Sequence, residues 1–316
     1  MVLLSLVVPV YNVQDYIEEC LISISDQLVE GVEVIIVNDG TKDKSINIVE
    51  SHITQRNLEN VYTVINQENQ GLSAARNTGI LNANGQYIAF LDSDDKLSSS
   101  YFDEILKNIK EYKPDIIQMS AIKFDRTKEF GLITMNYPDG VYNLDFDFKE
   151  GIFEQANWFA WLRVYKAELF DKVKFPVGQN YEDACTIPLV ILESDSICTL
   201  SKILVKYRIN NQGISASRSK KNIDDVQSAA IFLINLSLNS NALLLSGLKM
   251  MHYCLLISMS SEEKKTTYKR WVSIKSNFIG REITLKSRSD YCIYYLGFYY
   301  VFFVYLLKKI KFLNKG

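Results

Sequence analysis

The first 120 residues alternate between two patterns of apolar and polar positions. Short apolar runs bounded by turn residues predict buried strands, and they cover residues 4–10, 32–37, 61–65, 87–91 and 116–119. The segments between the runs carry apolar residues at helical spacing, over about residues 13–27, 44–56, 73–82 and 98–112. Strands that alternate with helices predict an α/β fold, in which helices flank both faces of a mostly parallel sheet.

This alternation ends after residue 120. The stretch NWFAWLRVYKAELF, residues 157–170, has the spacing of an amphipathic helix with an aromatic face. A second helix is predicted over residues 180–194 and a strand over 196–209, followed by a basic Gly/Ser-rich loop. From residue 223 the pattern is helical and apolar. We therefore expect two regions, residues 1–215 and residues 216–316.

The C-terminal region contains an uncharged stretch of 17 residues, YCIYYLGFYYVFFVYLL at 291–307, followed by KKIKFLNKG. A membrane-spanning helix needs about 20 residues, so this stretch is short for a span. Its tyrosines suit a membrane interface, and its lysines suit an anionic cytoplasmic leaflet. We expect a helical, membrane-associating extension; the alternatives are a buried C-terminal helix or a homodimer contact.

Charge and composition limit the classes of partner and cofactor that the protein is expected to bind. A net charge of −2 argues against a general nucleic-acid-binding protein. Residues 1–200 hold 16 Lys/Arg against 31 Asp/Glu, whereas residues 201–316 hold 19 against 6. The two ends are therefore expected to meet different partners. The five cysteines are scattered and only two histidines are present, which indicates reduced cytosolic thiols rather than a zinc site.

Unusual polar residues follow the predicted strands. Tyr11 follows the first strand and Asp39 the second, within NDGTKD. Ligands of such sheets bind beyond the carboxyl ends of the strands. A carboxylate there can accept hydrogen bonds from a nucleotide base or a ribose hydroxyl, although Asn-Asp-Gly is also a common tight turn. Arg76, on a predicted helix, can pair with phosphate or stack on a base, unless it lies on a solvated face.

The stretch FLDSDD ends the fourth strand with Asp92, Asp94 and Asp95. Mg²⁺ or Mn²⁺ is commonly held by one or two such carboxylates together with substrate phosphates. The alternative is an acid-rich start to the helix that begins near Ser98. The acid pair Glu182 and Asp183 lies about ninety residues further on. Adjacent residues on a helix point different ways, so at most one of the two is expected in a site.

The motifs VPVYN, NDGTKD, QGLSAARN, LDSDD and YED occur in that order. In this respect the chain resembles the family-2 glycosyltransferases of the GT-A fold, over about residues 4–215 and best over 6–95. The resemblance implies a nucleotide-diphospho-sugar donor, with a nucleotide-sugar half at about 1–120, an acceptor half at about 121–215, and inversion at the transferred sugar. It further implies the residue roles that follow, with Mn²⁺ or Mg²⁺ as cofactor. Donor contacts fall on Pro9, Tyr11, Asp39, Arg76, Asp92, Ser93 and Arg208, the metal on Asp94, and the catalytic base on Asp183.

Five further residues are expected at the acceptor or around the metal: Asp95, Trp161, Tyr181, Glu182 and Ser215. Trp161 and Tyr181 can stack against a sugar, although aromatic residues at helical spacing are more often core. Relatives of this size build bacterial O-antigen or capsule, so the resemblance implies a UDP-sugar donor and a lipid-linked oligosaccharide acceptor. The expected location is the cytoplasmic face of the cell membrane, with peripheral attachment. A nucleotide-binding protein without activity and a nucleotidyltransferase are the alternatives.

Overall fold

A computed structural model describes residues 1–210 and 217–313, with side chains to residue 307. Contacts divide the chain into two compact units. The first comprises Met1–Asp145 and Trp158–Asn210, and the second comprises Phe146–Asn157 and Asn211–Gly316. One segment departs from the expected division at residues 215 and 216, because Phe146–Asn157 belongs to the second unit. Its helix packs on the helix Asn241–Ser261 of the C-terminal region, which its own sequence gives no means of predicting.

The first unit is built on one mixed sheet. Its strands are β1 (Leu4–Val10), β2 (Val32–Asn38), β3 (Tyr62–Asn66), β4 (Tyr87–Phe90), β5 (Lys96–Leu97), β6 (Ile116–Phe124), β7 (Glu129–Ile133), β8 (Gly140–Asn143), β9 (Arg163–Lys166) and β10 (Ser196–Arg208). The order is β3-β2-β1-β4-β9-β6-β10-β5, with β7 on β6 and β8 on β10. Strands β3, β2, β1 and β4 are mutually parallel, whereas β9 runs antiparallel to both its neighbours. The predicted α/β class is confirmed.

The helices follow the strands in alternation at first. In chain order they are α1 (Ile17–Ser25), α2 (Ser45–Arg56), α3 (Leu72–Leu81), α4 (Tyr101–Tyr112), α5 (Phe146–Gln155), α6 (Asp183–Leu192), α7 (Lys220–Leu236), α8 (Asn241–Ser261), α9 (Lys264–Lys275), α10 (Arg288–Tyr291) and α11 (Phe298–Leu313). Helices α5 and α7 to α11 belong to the second unit.

Strand β9 corrects the prediction of one amphipathic helix over residues 157–170. Two 3₁₀ turns, Ala160–Leu162 and Ala167–Phe170, flank this strand instead. Its residues Val164 and Tyr165 pair with both β4 and β6 and are fully buried. Pairing on two sides, between strands distant in sequence, outweighs the local helical spacing.

A close approach positions α3 on the sheet. Side chains alternate along β1, so Leu6 and Val8 join the core formed with α1 and α4, while Val7 points to the other face. There Val7 meets Gly79 of α3, and a Cβ on that glycine would lie 2.2 Å from Val7 Cγ1. Arg76 lies three residues earlier on the same helix, and i,i+3 residues share a face. The packing therefore turns Arg76 toward the sheet, where it is 1% exposed.

The second unit is helical, with α8 at its centre. Helix α8 is long and apolar enough to span a membrane, but 72% of its apolar window is buried inside the structure, as in the core helix of a soluble protein. The uncharged stretch predicted as one segment is divided at Gly297. The helical stretches on either side of this glycine, Arg288–Leu296 and Phe298–Leu307, are bent by 117°.

Candidate active site

The carboxyl ends of β1, β2 and β4 bring the predicted donor residues to one edge of the sheet. Val10 at the end of β1 is in register with Asn38 at the end of β2, and Phe90 at the end of β4 is in register with Val7. Pro9 is buried within β1, and Tyr11, just beyond it, is 44% exposed. This edge therefore presents a mixture of aromatic and acidic side chains where ligands of such sheets bind.

Asp39 organises the loop that leads into α3. Its side chain is buried, and Oδ1 accepts hydrogen bonds from Gln67 Nε2 at 2.7 Å and from the Gln70 amide at 2.9 Å. Oδ2 accepts one from the Gly71 amide at 2.8 Å. Gly71 has φ +88°, a conformation that glycine adopts without strain. Asp39 therefore shapes the wall of the site, whatever contact it makes to a ligand.

Arg76 joins three of the predicted carboxylates. Its Nη2 lies 2.9 Å from Asp92 Oδ1, while Nη1 lies 2.6 Å from Glu182 Oε1 and 2.8 Å from Asp183 Oδ1. The guanidinium is 1% exposed and stands 5.2 Å from the centre of the Phe175 ring. The sequence placed Arg76 beside the nucleotide base; the structure instead turns it toward the acid pair at the start of α6.

The electrostatics of this cluster follow from burial. Burial and the neighbouring Asp183 raise the pKa of Glu182 to about 7. Burial also raises the pKa of Asp183, and Arg76 limits that rise. Burial opposes the charge on Arg76, but the carboxylates of Asp183, Asp92 and Glu182 together raise the pKa of its guanidinium. Asp183 remains 18% exposed, so a partly solvated carboxylate with a raised pKa faces the edge of the sheet.

Two of the three aspartates after β4, Asp94 and Asp95, are held by Arg208. Its Nε donates to the Asp94 carbonyl at 2.7 Å, and its backbone amide donates to Asp95 Oδ1 at 2.6 Å. Its guanidinium also lies 3.1 Å from Glu19 and 4.4 Å from the centre of the Phe124 ring. Arg208 thus braces the aspartate turn. Ser215, expected at the acceptor or around the metal, lies outside the described residues.

Asp94 has the properties of a ligand for a divalent cation. Burial, followed by the charge of Asp92, raises the pKa of Asp94 to about 6. Its neighbour Asp95 is fully buried, and Asp95 Oδ2 has no hydrogen-bond partner among the described atoms. No group of three or more metal-binding side chains occurs in the described part of the chain. Mg²⁺ and Mn²⁺ nevertheless need only one or two protein carboxylates alongside phosphates and water, so the residues present fit such an ion.

Trp161 is part of the hydrophobic core. Trp161 is 1% exposed, and its ring packs against those of Phe159, at 4.9 Å, and Tyr207, at 5.1 Å, which are 5.8 Å from each other. This burial corrects the prediction that Trp161 stacks against an acceptor sugar, because no face of the ring is open to a ligand. Tyr181 is half-buried, with φ +59°, and its carbonyl accepts from the Ala184 amide at the start of α6. Ser93 is buried within the aspartate turn.

Two further groups at this site were not predicted from the sequence. The backbone amide of Ala160 donates to Asp183 Oδ2 at 3.1 Å, and a backbone donor leaves no mark in a sequence. Tyr207 lies in β10, next to Arg208. Burial, and then the carboxylates of Asp95, Asp92, Asp94 and Asp183, raises the pKa of Tyr207 to about 12. Its position one residue before a predicted site arginine was the available signal.

Comparisons with known proteins identify the family and the fold. The model of the family described as "Glycosyl transferase family 2" matches residues 5–170, which is more than half of the chain. The chain belongs to this family. Glycosyltransferase GlyA of Streptococcus pneumoniae is 34% identical over 227 residues, which cover 69% of this chain and 32% of that protein. The chain thus matches about a third of that relative's length.

Two solved structures share the fold. S. aureus TarS 1-349 in complex with UDP-GlcNAc superposes with a TM-score of 0.66 at 18% identity, covering 87% of this chain and 81% of that one. The mannosyltransferase PcManGT from Pyrobaculum calidifontis, in complex with GDP-Man and Mn²⁺, gives a TM-score of 0.55 at 15% identity. That match covers 95% of this chain and 84% of the other. The predicted GT-A fold is confirmed.

The Asp39 contacts give a testable expectation. In Asp39→Asn, an amide NH₂ replaces one acceptor oxygen and faces a backbone N–H, whichever way the amide is turned. We expect the free energy of unfolding in urea to fall by about 1–3 kcal/mol. Hydrogen exchange at the Gln70 and Gly71 amides should also accelerate. Glu59→Gln, at an exposed position, is the matched control and should change neither. Unchanged exchange at both amides in Asp39→Asn would contradict this role.

Proposed function

We propose that this protein transfers one sugar from a UDP-sugar to a hydroxyl of an acceptor sugar, with inversion at the transferred carbon. The observation that carries the proposal is the shared guanidinium. Asp92, the expected ribose contact, and Asp183, the expected base, lie 2.9 and 2.8 Å from the same Arg76. A donor group and a proton acceptor are thus held side by side. Family membership and the fold shared with the UDP-GlcNAc complex of TarS support the choice of donor.

In this mechanism Asp183 acts as the general base. Its carboxylate is fixed by Arg76 on one oxygen and by the Ala160 amide on the other. Remaining lone pairs accept the proton of the acceptor hydroxyl as its oxygen attacks the anomeric carbon. A new C–O bond forms on the face opposite the diphosphate, the sugar–phosphate bond breaks, and its electrons leave with UDP. The raised pKa of Asp183 brings its basicity closer to neutral pH, which favours proton transfer.

Asp94 would hold the divalent cation, and the neighbouring Asp95 is fully buried. Mn²⁺ or Mg²⁺, when bound, neutralises the charge that develops on the departing diphosphate. Protein residues make the other contacts to the donor. Asp92 accepts a hydrogen bond from a ribose hydroxyl, while Pro9, Tyr11 and Asp39 line the position expected for the nucleotide base.

Features of the second unit support the proposed acceptor and the proposed location of the enzyme. Its helix after Gly297 exposes aromatic side chains, with Tyr299 and Phe303 each 59% exposed. The lysine-rich sequence KKIKFLNKG follows them. Aromatic rings at a membrane interface, together with basic residues, favour binding to an anionic leaflet. We therefore place the enzyme on the cytoplasmic face of the cell membrane, with an acceptor sugar on a lipid diphosphate, in bacterial surface polysaccharide synthesis.

Loss of the base should abolish turnover without loss of donor binding. With UDP-glucose, UDP-galactose and UDP-GlcNAc tested in turn, we expect release of UDP by slow hydrolysis, in which water replaces the acceptor. Asp183→Asn should lower kcat by about 10²–10⁴-fold, the usual contribution of a general base. Its Kd for UDP should stay within about threefold of the wild-type value, since no interaction with the nucleotide is removed. Glu182→Gln, which keeps the volume of its side chain, is the matched comparison and should retain more activity.

Wild-type turnover by Asp183→Asn together with inactive Glu182→Gln would move the base to Glu182. A wild-type protein that binds UDP but releases none from any of the three donors would favour the alternative of a nucleotide-binding protein without activity.

The membrane proposal predicts lipid-dependent sedimentation. The protein should pellet with vesicles that contain about 30% phosphatidylglycerol and much less with pure phosphatidylcholine, because the lysines need anionic lipid. Tyr299→Ser/Phe303→Ser should reduce pelleting severalfold. The control is Leu132→Ser, at an equally exposed apolar position on β7. Equal recovery in the supernatant with both lipids, together with a concentration-dependent dimer in ultracentrifugation, would instead identify this surface as a homodimer contact.

A further inference from the structure

Arg76 is enclosed by its partners. Three carboxylate oxygens lie within 2.9 Å of its terminal nitrogens, and its Nε has no hydrogen-bond partner among the described atoms. The side chain is 1% exposed. A nucleotide could reach this guanidinium only after the carboxylates had moved away, which would leave three acids with no cation in contact. The burial thus argues against Arg76 as a direct contact of the donor.

The surroundings of Arg76 fix its plane. The guanidinium carbon lies 5.2 Å from the centre of the Phe175 ring and 6.0 Å from that of Phe90. The contact between Gly79 and Val7 seats its helix on β1. A guanidinium held by rings and by a close-packed helix has little rotational freedom, and its planar fork can direct two carboxylates at once. Arg76 can therefore hold its carboxylate partners in one fixed geometry.

Asp183 is the partner on which this geometry bears most directly. Arg76 Nη1 contacts Oδ1 at 2.8 Å, and the Ala160 amide contacts Oδ2 at 3.1 Å. The plane and direction of the carboxylate are therefore set from two sides. The same nitrogen lies 2.6 Å from Glu182, which holds the second acid of the pair to the same point.

We propose that Arg76 is a positioning residue for the base Asp183 and that it links this base to Asp92, so that one cation organises both the donor side and the acceptor side of the site. This inference rests on the proposed function. It replaces the role of donor contact that the family resemblance implied for Arg76.

The charge of Arg76 gives the inference a pH signature. Arg76 lowers the pKa of Asp183 against the effect of burial. Loss of the cation should therefore raise this pKa, so that the base is ionised only at higher pH and the acidic limb of the kcat profile moves upward. The other titratable groups that face Asp183 are Asp92 after β4, Arg163 and Tyr165 on β9, Glu182 just before α6, and Tyr207 on β10. All of them are unchanged in variants of Arg76.

The experiment compares Arg76→Lys and Arg76→Met with the wild type. Arg76→Lys keeps one charge but loses the fork. We expect its kcat for UDP release to fall by about 10- to 100-fold, as misplacement of a catalytic group does. The KM for the UDP-sugar and the Kd for UDP should stay within about threefold. In Arg76→Met, which removes the charge, the acidic limb of the kcat profile should move upward by about one pH unit.

Arg270→Lys is the matched control. Arg270 is 8% exposed and is paired with Glu262 and Asp224 in the second unit. Its replacement should lower the midpoint of thermal unfolding as the Arg76 variants do, but leave kcat and its pH profile unchanged. A general loss of stability is thereby separated from a loss of base positioning.

Two results would overturn the inference. In the first, the Kd for UDP in Arg76→Lys rises in step with the fall in kcat, which would make Arg76 a donor contact. In the second, kcat and its pH profile stay unchanged in Arg76→Lys and Arg76→Met although both unfold more easily, which would make the role structural only. Failure of the proposed function shows separately, in a wild-type protein that releases no UDP from any donor, and both proposals would then fall.

Discussion

One buried cation, Arg76, determines how the acidic residues of this site are arranged. Asp92, Glu182 and Asp183 all lie within hydrogen-bond distance of this one guanidinium. Without it, three carboxylates so close together at a desolvated edge of the sheet would repel one another strongly. The guanidinium offsets this repulsion, and removing one partner from such a buried network typically costs about 3–5 kcal/mol. The guanidinium also joins segments that are distant in the sequence, because its partners lie 16, 106 and 107 residues away. The site thus forms only when α3, the end of β4 and the start of α6 come together.

The loop before α3 is likewise held by contacts between segments that are distant in the sequence. Asp39 accepts three hydrogen bonds from the loop at residues 67–71, and this loop leads directly into α3. Gly79 then lets the helix lie close against Val7 of β1. A buried acid at the end of β2 and a missing Cβ on α3 therefore set where the guanidinium stands. Asp39 and Gly79 thus help to orient the proposed catalytic base Asp183, although neither contacts it.

Much of this arrangement could be predicted from local sequence. The apolar runs located β1, β2, β3 and β4, and the strand-end rule placed Asp39 and the aspartate turn at one edge of the sheet. Strand β9 was missed, because its pairing with β4 and β6 depends on residues 45 to 79 positions away. The partners of Arg76 were missed for the same reason. Trp161 was misassigned because helical spacing does not reveal that this side chain is buried against Phe159 and Tyr207.

The central claim is that the carboxylates at this sheet edge bind a nucleotide diphosphate through a divalent cation. Calorimetric titration of the full chain with UDP, first in Mn²⁺ and then in EDTA, tests it most directly. We predict saturable binding in Mn²⁺ that is lost in EDTA and is also lost in Asp94→Ala. Equal affinity for UDP in the two buffers would contradict the account, since the charge on Asp94 would then have no cation to hold.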